Sequence, residues 1–418
     1  MKELRIAMLS YHTCPLATLG GKDTGGMNVY VREITRKLGE IGVHVDVFTR
    51  SQDEHVPHIL HDLGYGNRVV HVPAGPEVPL PKQELANYIP AFVEGIKHFA
   101  ESKNIHYDLI HSHYWMSGVA AAELKTAWQI PIVHMFHTLV LMKNRVAQSP
   151  SEIEGEYRLD GERKVLRIAD RVIAATPAEL AQLQFLYQAD TRRVVIIPPG
   201  VDLRRFYPIP PDEAREFTGV PPCGRTILFV GRIEPLKGLD VLLQAIALLH
   251  KRADLCDESF CLTVIGGEPD ASPETMSVEM SRLQSLRDHS DLGDLVTFLG
   301  KRDQESLPYY YSAAEIVVVP SYYESFGMVA LEAMACGTPV VASQVGGLAF
   351  LVQDGVTGYM VPVEDPQTLA DRLGLLLKDE RLRQQMGQRA AEEAKKYAWQ
   401  NIAEQLLVTY QEVLQKNG

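Results

Sequence analysis

The sharpest chemistry in the sequence is a pair of cations well upstream of a pair of carboxylates. A strand-like run, Thr226–Val230, ends in Gly231-Arg232-Ile233-Glu234-Pro235-Leu236-Lys237-Gly238. Gly231 permits close approach, and Arg232 and Lys237 stand at a strand tip before a helix. Two cations and a helix N-terminus suit a diphosphate, because both favour concentrated negative charge. Further on, Pro320-Ser321-Tyr322-Tyr323-Glu324-Ser325-Phe326-Gly327 leads into a helix containing Glu332. Glu324 is expected in the loop and Glu332 about two turns into the helix. Carboxylates there would accept hydrogen bonds from sugar hydroxyls.

The first half carries softer signals. Gly20-Gly21-Lys22-Asp23-Thr24-Gly25-Gly26-Met27-Asn28 follows the first strand and opens a helix. Paired glycines let backbone N–H groups approach a phosphate, although the spacing is neither a Walker loop nor a dinucleotide fingerprint. His111-Ser112-His113-Tyr114-Trp115 and Met135-Phe136-His137-Thr138 end two further strands. His111 and His113 are expected on opposite faces of their strand, one in the core and one towards the ligand, and His137 at a strand tip. Lys82 follows the stiff Pro79-Leu80-Pro81, and Arg158 lies in the acidic run from Glu152 to Glu162.

Parallel α/β domains would position these groups. Strands are expected at Arg5–Ser10, Val43–Thr49, Val69–Val72, Leu109–His113, Ile132–Phe136, Arg171–Ala175 and Val194–Ile197. Helices are expected between them at Asn28–Ile41, Gln83–Ser102, Ser117–Trp128 and Pro177–Tyr187. The pattern breaks at Pro198-Pro199-Gly200 and Tyr207-Pro208-Ile209-Pro210-Pro211, as an interdomain linker would. It restarts with strands at Thr226–Val230, Cys261–Ile265, Val296–Leu299, Ile316–Val319, Pro339–Ala342 and Gly358–Val361. The tail from Glu380 to Gln415 reads as two helices. The expected division is 1–200, 201–395, and a closing helix, 396–418, crossing back to the first domain.

Composition narrows the function class. The chain has 418 residues, 46% hydrophobic and 22% charged, which excludes disorder or coiled coil as its main architecture. Its net charge of -12 argues against nucleic acid as the principal partner, but not against a local basic pocket. No apolar run is long enough for a membrane span, and Met1-Lys2-Glu3-Leu4 leads straight into a strand, so no signal peptide is expected. The five cysteines, Cys14, Cys223, Cys256, Cys261 and Cys336, are scattered without a C-x-x-C pair. They are expected to be reduced in a cytoplasmic protein, with neither disulfides nor a zinc site.

Gly231-Arg232 with Lys237, the Glu324…Glu332 pair and Gly337-Thr338-Pro339-Val340-Val341 resemble the family 4 retaining glycosyltransferases, and the resemblance covers almost the whole chain. It implies the GT-B fold, two facing Rossmann-like domains with a central cleft. It implies donor binding by Gly25, Gly26, Gly231, Arg232, Lys237, Glu324, the Ser325-Phe326-Gly327-Met328 backbone and Glu332. Arg232 and Lys237 would hold the diphosphate, Glu332 the ribose and Glu324 the transferred sugar, with His137 beside that sugar. It implies acceptor contacts from Asn28, Lys82, Tyr114, Thr138 and Arg158.

Two branches of the family compete. Gly25-Gly26-Met27-Asn28-Val29-Tyr30-Val31 and the histidine segments are similar to the mycothiol-pathway transferase that moves N-acetylglucosamine to inositol 3-phosphate. Ile197-Pro198-Pro199-Gly200-Val201 and Ser321-Tyr322-Tyr323-Glu324 are closer to sucrose-phosphate synthases. The expectation leans narrowly to the latter, with UDP-glucose and fructose 6-phosphate. No Asp-x-Asp triplet occurs, so neither metal nor other cofactor is expected beyond the UDP-sugar. A UDP-sugar epimerase and a sugar-nucleotide-binding protein are the alternatives from other classes. Homo-oligomerisation is left open.

Overall fold

The computed structural model describes the chain except residues 1–2, 18–24, 148, 220–223, 253–258, 273 and 418. Two compact units result. One takes the chain up to Pro199 and again from Trp399; the other takes Gly200–Ala398.

The first unit is built on an eight-stranded sheet. Its strands are β1 Arg5–Leu9, β2 His44–Arg50, β3 Ile59–Leu60, β4 Arg68–Val72, β5 Leu109–His113, β6 Ile132–Met135, β7 Arg171–Ala174 and β8 Val194–Ile196. Their order is β3-β4-β2-β1-β5-β6-β7-β8. All pairs are parallel except the short β3, which runs antiparallel to β4. Ile6, Ala7, Met8 and Leu9 are wholly buried, as strands covered by helices on both faces must be. Chain order reverses between β1 and β5, and ligands of such sheets bind beyond the strand tips at that point.

The second unit has six parallel strands, β9 Arg225–Val230, β10 Phe260–Ile265, β11 Val296–Gly300, β12 Ile316–Val319, β13 Val340–Ser343 and β14 Gly358–Val361. Their order, β11-β10-β9-β12-β13-β14, is the doubly wound Rossmann arrangement, with its reversal between β9 and β12. The Arg232–Lys237 and Glu324 loops follow those two strands.

Three expectations need correction. The helix expected over Gln83–Ser102 is broken into Lys82–Leu85, a 3-10 turn Ala86–Tyr88 and Ile89–Ser102. Pro90 lacks an N–H and cannot continue a helix from upstream, but fits the first turn of a new one. The Pro-rich linker contains a helix, Pro211–Thr218, with Asp212 and Glu213 in its first turn and Gly219 closing it. Cys261 is disulfide-bonded, which overturns the reading of all five cysteines as reduced; Cys14 and Cys336 are free thiols. Among the described residues, no helix is long and apolar enough to cross a membrane.

Candidate functional site

In the second unit the two loops are locked side by side. Tyr322 N donates to Leu236 O at 2.9 Å, and Gly238 has φ +66° with the Pro320 carbonyl where a side chain would stand. Any other residue there would push the loops apart. Lys237 Nζ lies 2.6 Å from Glu324 Oε2, and Arg232 pairs with Glu234 at 2.8 Å. Both cations therefore sit half-exposed at the strand tips, each held by a carboxylate that an incoming diphosphate could relieve. Ser321 Oγ reaches Glu324 at 3.5 Å.

Glu332 lies in the helix Met328–Ala335, buried, accepting from the Tyr311 hydroxyl at 2.9 Å. The Phe326 side chain is buried and packs towards Tyr397, with centroids 5.8 Å apart. A support that sequence reasoning missed is Gly346-Gly347. Gly347 N donates to Glu324 O at 3.0 Å, and Gly346, at φ +45°, leaves no room for a Cβ beside that same carbonyl. The doubled glycine after β13 was the available signal.

In the first unit, Gly20–Thr24 lie outside the described residues. Gly25 and Gly26 open the helix Gly26–Glu40, whose first turn carries no acid. Asn28 is buried: its Oδ1 accepts from Gly25 N at 2.9 Å, while its Nδ2 donates to Thr13 Oγ1 at 2.7 Å and Cys14 O at 2.8 Å. In these contacts Asn28 braces the glycine turn.

Four residues far apart in sequence converge. The Tyr114 ring lies 6.0 Å from Lys82 Nζ and 4.9 Å from Arg158 Cζ. Arg158 Nη2 donates to the Thr138 carbonyl and hydroxyl, each at 3.0 Å. Tyr114 and His137 have φ of 71° and 62°, left-handed values that cost non-glycine residues about 1–3 kcal/mol. Such strain persists where surrounding structure fixes a side chain for a purpose.

Arg158 is more deeply embedded than a solvated acidic run suggests. It is 1% exposed, with Nε on Glu162 at 2.8 Å and Nη1 on Glu154 at 2.7 Å. Among the described residues, one Nη1 proton is left to offer. Burial alone would raise the Glu154 carboxyl, but Arg158 and Lys143 outweigh it and hold it at about 2. Burial pushes Glu162 up, against the pull of Arg158 and the Tyr187 hydroxyl. Glu154, Glu162 and Tyr187 escaped sequence reasoning, although the i, i+4 spacing on either side of Arg158 was a signal.

The histidines also need correction. His111 and His113 share a face, their ring centroids 4.2 Å apart; residues two apart on a strand must do so. His113 Nδ1 is 3.0 Å from His137 Nε2. His134, on the neighbouring strand, meets Ser112 Oγ at 2.8 Å. Burial pushes His111 and His137 down to about 3, and His113 and His134 well below the ordinary range.

With folded-state values depressed, the unfolded chain takes up protons first as pH falls. The stabilisation is complete above about pH 6.5 and lost on the way to pH 3, by up to about 1.4 kcal/mol per pH unit for each histidine. Thermal melts should therefore fall steeply between pH 6.5 and 5. A flat melting temperature over that range would contradict a neutral cluster.

Known proteins share this architecture. Residues 24–205 match the profile of Glycosyltransferase Family 4, and residues 211–393 match that of the Glycosyl transferases group 1. A D-inositol 3-phosphate glycosyltransferase 2 of Catenulispora acidiphila is 43% identical over 400 residues, covering 96% of this chain and 92% of its own. The D-inositol 3-phosphate glycosyltransferase of Actinosynnema mirum is 41% identical over 408 residues, covering 97% and 96%. Among solved structures, the sucrose-phosphate synthase from Thermosynechococcus elongatus superposes with a TM-score of 0.89 at 35% identity, over 99% of this chain and 100% of that one. Anabaena HepE in complex with UDP and glucose has a TM-score of 0.74 at 20% identity, over 98% and 100%, which speaks to the fold alone.

Proposed function

The chain belongs to glycosyltransferase family 4, and on that premise we propose that it is a retaining transferase moving a hexosyl unit from a UDP-sugar to a hydroxyl of a small phosphorylated acceptor. The observation that carries the acceptor class is the convergence of Lys82, Tyr114, Thr138 and Arg158. A phosphate carries nearly two charges and three strong acceptor oxygens, and cations with hydroxyl donors are the groups that satisfy it.

Inositol 3-phosphate is the acceptor we put first, with N-acetylglucosamine as the transferred unit. This reverses the lean of the motifs towards fructose 6-phosphate, because both relatives described above, at 43% and 41% identity, carry the inositol phosphate name. Sucrose phosphate synthesis stays as the second reading on the strength of the 0.89 structural likeness. A matrix of UDP-glucose and UDP-N-acetylglucosamine against inositol 3-phosphate and fructose 6-phosphate, read by product mass, tests both. Conversion of UDP-sugar without any acceptor would favour an epimerase and sink the proposal.

In the reaction the C1–O bond to the diphosphate breaks and negative charge collects on UDP. In this reading Arg232 and Lys237 stabilise it, and preorganised charge of this kind is the largest contribution in many enzymes. The acceptor hydroxyl attacks from the face that UDP leaves, and its proton passes to the departing phosphate, which preserves the anomeric configuration without a protein nucleophile. With two cations on the diphosphate, no metal is required. EDTA should leave most of the activity; full loss restored by manganese or magnesium would contradict this.

A further inference from the structure

We propose that His113 is a positioning residue for His137: its Nδ1–H donates to His137 Nε2 and holds His137 as the Nδ1–H tautomer, with that N–H offered to an oxygen of the transferred sugar. The sugar contact rests on the transferase reading; the tautomer does not.

Tyr410 lies in the closing helix Trp399–Asn417. Its hydroxyl is 2.7 Å from His111 Nδ1, and a phenol is a good donor to a neutral imidazole, so His111 carries its proton on Nε2. His111 Nε2 and His113 Nε2 are both buried without partners among the described residues, on rings 4.2 Å apart. A bare Nε2 on His113 avoids placing two N–H dipoles side by side in the core. His113 then bears its proton on Nδ1, the nitrogen 3.0 Å from His137 Nε2. The proton of His137 is left on Nδ1.

Packing leaves these rings little freedom. The Tyr30 ring meets His113 at 5.5 Å and His137 at 5.2 Å, edge on, and is backed by Trp399 at 5.4 Å. His137 is the one member of the four-histidine group with partial exposure. Its left-handed backbone sets the ring's approach. His113 reaches no ligand by itself, since it is completely buried; its effect passes through His137.

The test is the side-chain 15N spectrum of the full chain, with His137 assigned by comparison with His137→Gln. In the wild type, His137 should show a protonated Nδ1 and a bare Nε2. His113→Leu, which removes the donor, should shift His137 towards the other tautomer. It should also lower kcat by about three- to ten-fold, the worth of one hydrogen bond, with the acceptor KM unchanged. His113→Asn, whose amide can take the place of Nδ1–H, should restore both. A wild-type His137 protonated on Nε2 overturns the proposal, as does a His113→Leu protein with unaltered tautomer and kcat. If His113→Leu does not fold, the wild-type and His113→Asn spectra decide, since the proposal requires the same His137 tautomer in both. A chain with the expected tautomer that transfers to no phosphorylated acceptor would sink the proposed function and leave this inference standing.

Discussion

The double substitution Arg232→Ala, Lys237→Ala is expected to lower kcat/KM for the donor by roughly 10²–10⁴-fold while leaving the fold intact. Each cation would make a charge-assisted bond to the diphosphate worth about 1.5–3 kcal/mol, hence roughly ten- to a hundred-fold in rate. Stability should hardly change, because the resting partners of these cations are partly solvated. Arg232 and Glu234 are 36% and 35% exposed, Lys237 and Glu324 20% and 17%, and such pairs typically contribute about 0–1 kcal/mol. Arg232→Lys should lose less than Arg232→Ala, since it keeps the charge and loses the bidentate geometry. Steady-state kinetics beside thermal melts check this. Wild-type turnover in a folded double mutant would contradict the donor assignment.

Arg158→Ala is expected to cost about 3–5 kcal/mol of stability, because it leaves Glu162, 0% exposed, as a buried charge without its counter-ion. The cost should depend on pH. Without Arg158 the Glu162 carboxyl is raised further above its unfolded value, so the penalty grows as pH rises above that value and shrinks as the carboxyl is protonated at lower pH. Denaturant titrations at pH 8 and pH 5.5 should show the larger difference from wild type at pH 8. An equal difference at both would mean that the Glu154–Arg158–Glu162 network does not hold Glu162 charged. Glu162 also accepts from Val140 N, at 3.1 Å, and from the Tyr187 hydroxyl. The damage should therefore reach the turn after Thr138, and Arg158→Ala is a poor probe of the acceptor phosphate by itself. Lys82→Ala is the cleaner one.

The second unit was legible because its chemistry sits in continuous motifs at strand tips. Its β-branched strands, buried on both faces, are marked as plainly in the sequence as in the sheet. Ile316–Val319 and Gly358–Val361 form strands with the expected bounds. The bounds and the buried face of the helix Glu156–Ile168 were hidden because its inward face carries Arg158 and Glu162 beside Leu159, Val165 and Leu166. Buried charges break the apolar period, and only their mutual pairing, invisible in composition, allows them inside. The histidine chain was illegible for a related reason. Tyr410 meets His111 across 299 positions of sequence, and nothing local to His111-Ser112-His113 announces that contact.

The most direct test of the central claim is the ratio of kcat/KM for a phosphorylated acceptor to that for its unphosphorylated parent. It should be measured with inositol 3-phosphate and inositol, in the wild type and in Lys82→Ala, with fructose 6-phosphate and fructose as the second pair. Lys82 stands at the head of the helix Lys82–Leu85 with its Nζ 6.0 Å from the Tyr114 ring, and it is one of the four residues of the proposed phosphate site. A strong wild-type preference for the phosphate, reduced by roughly ten- to a hundred-fold in Lys82→Ala, is the predicted result. A wild-type enzyme that uses the free and phosphorylated acceptors of both pairs equally well would contradict it.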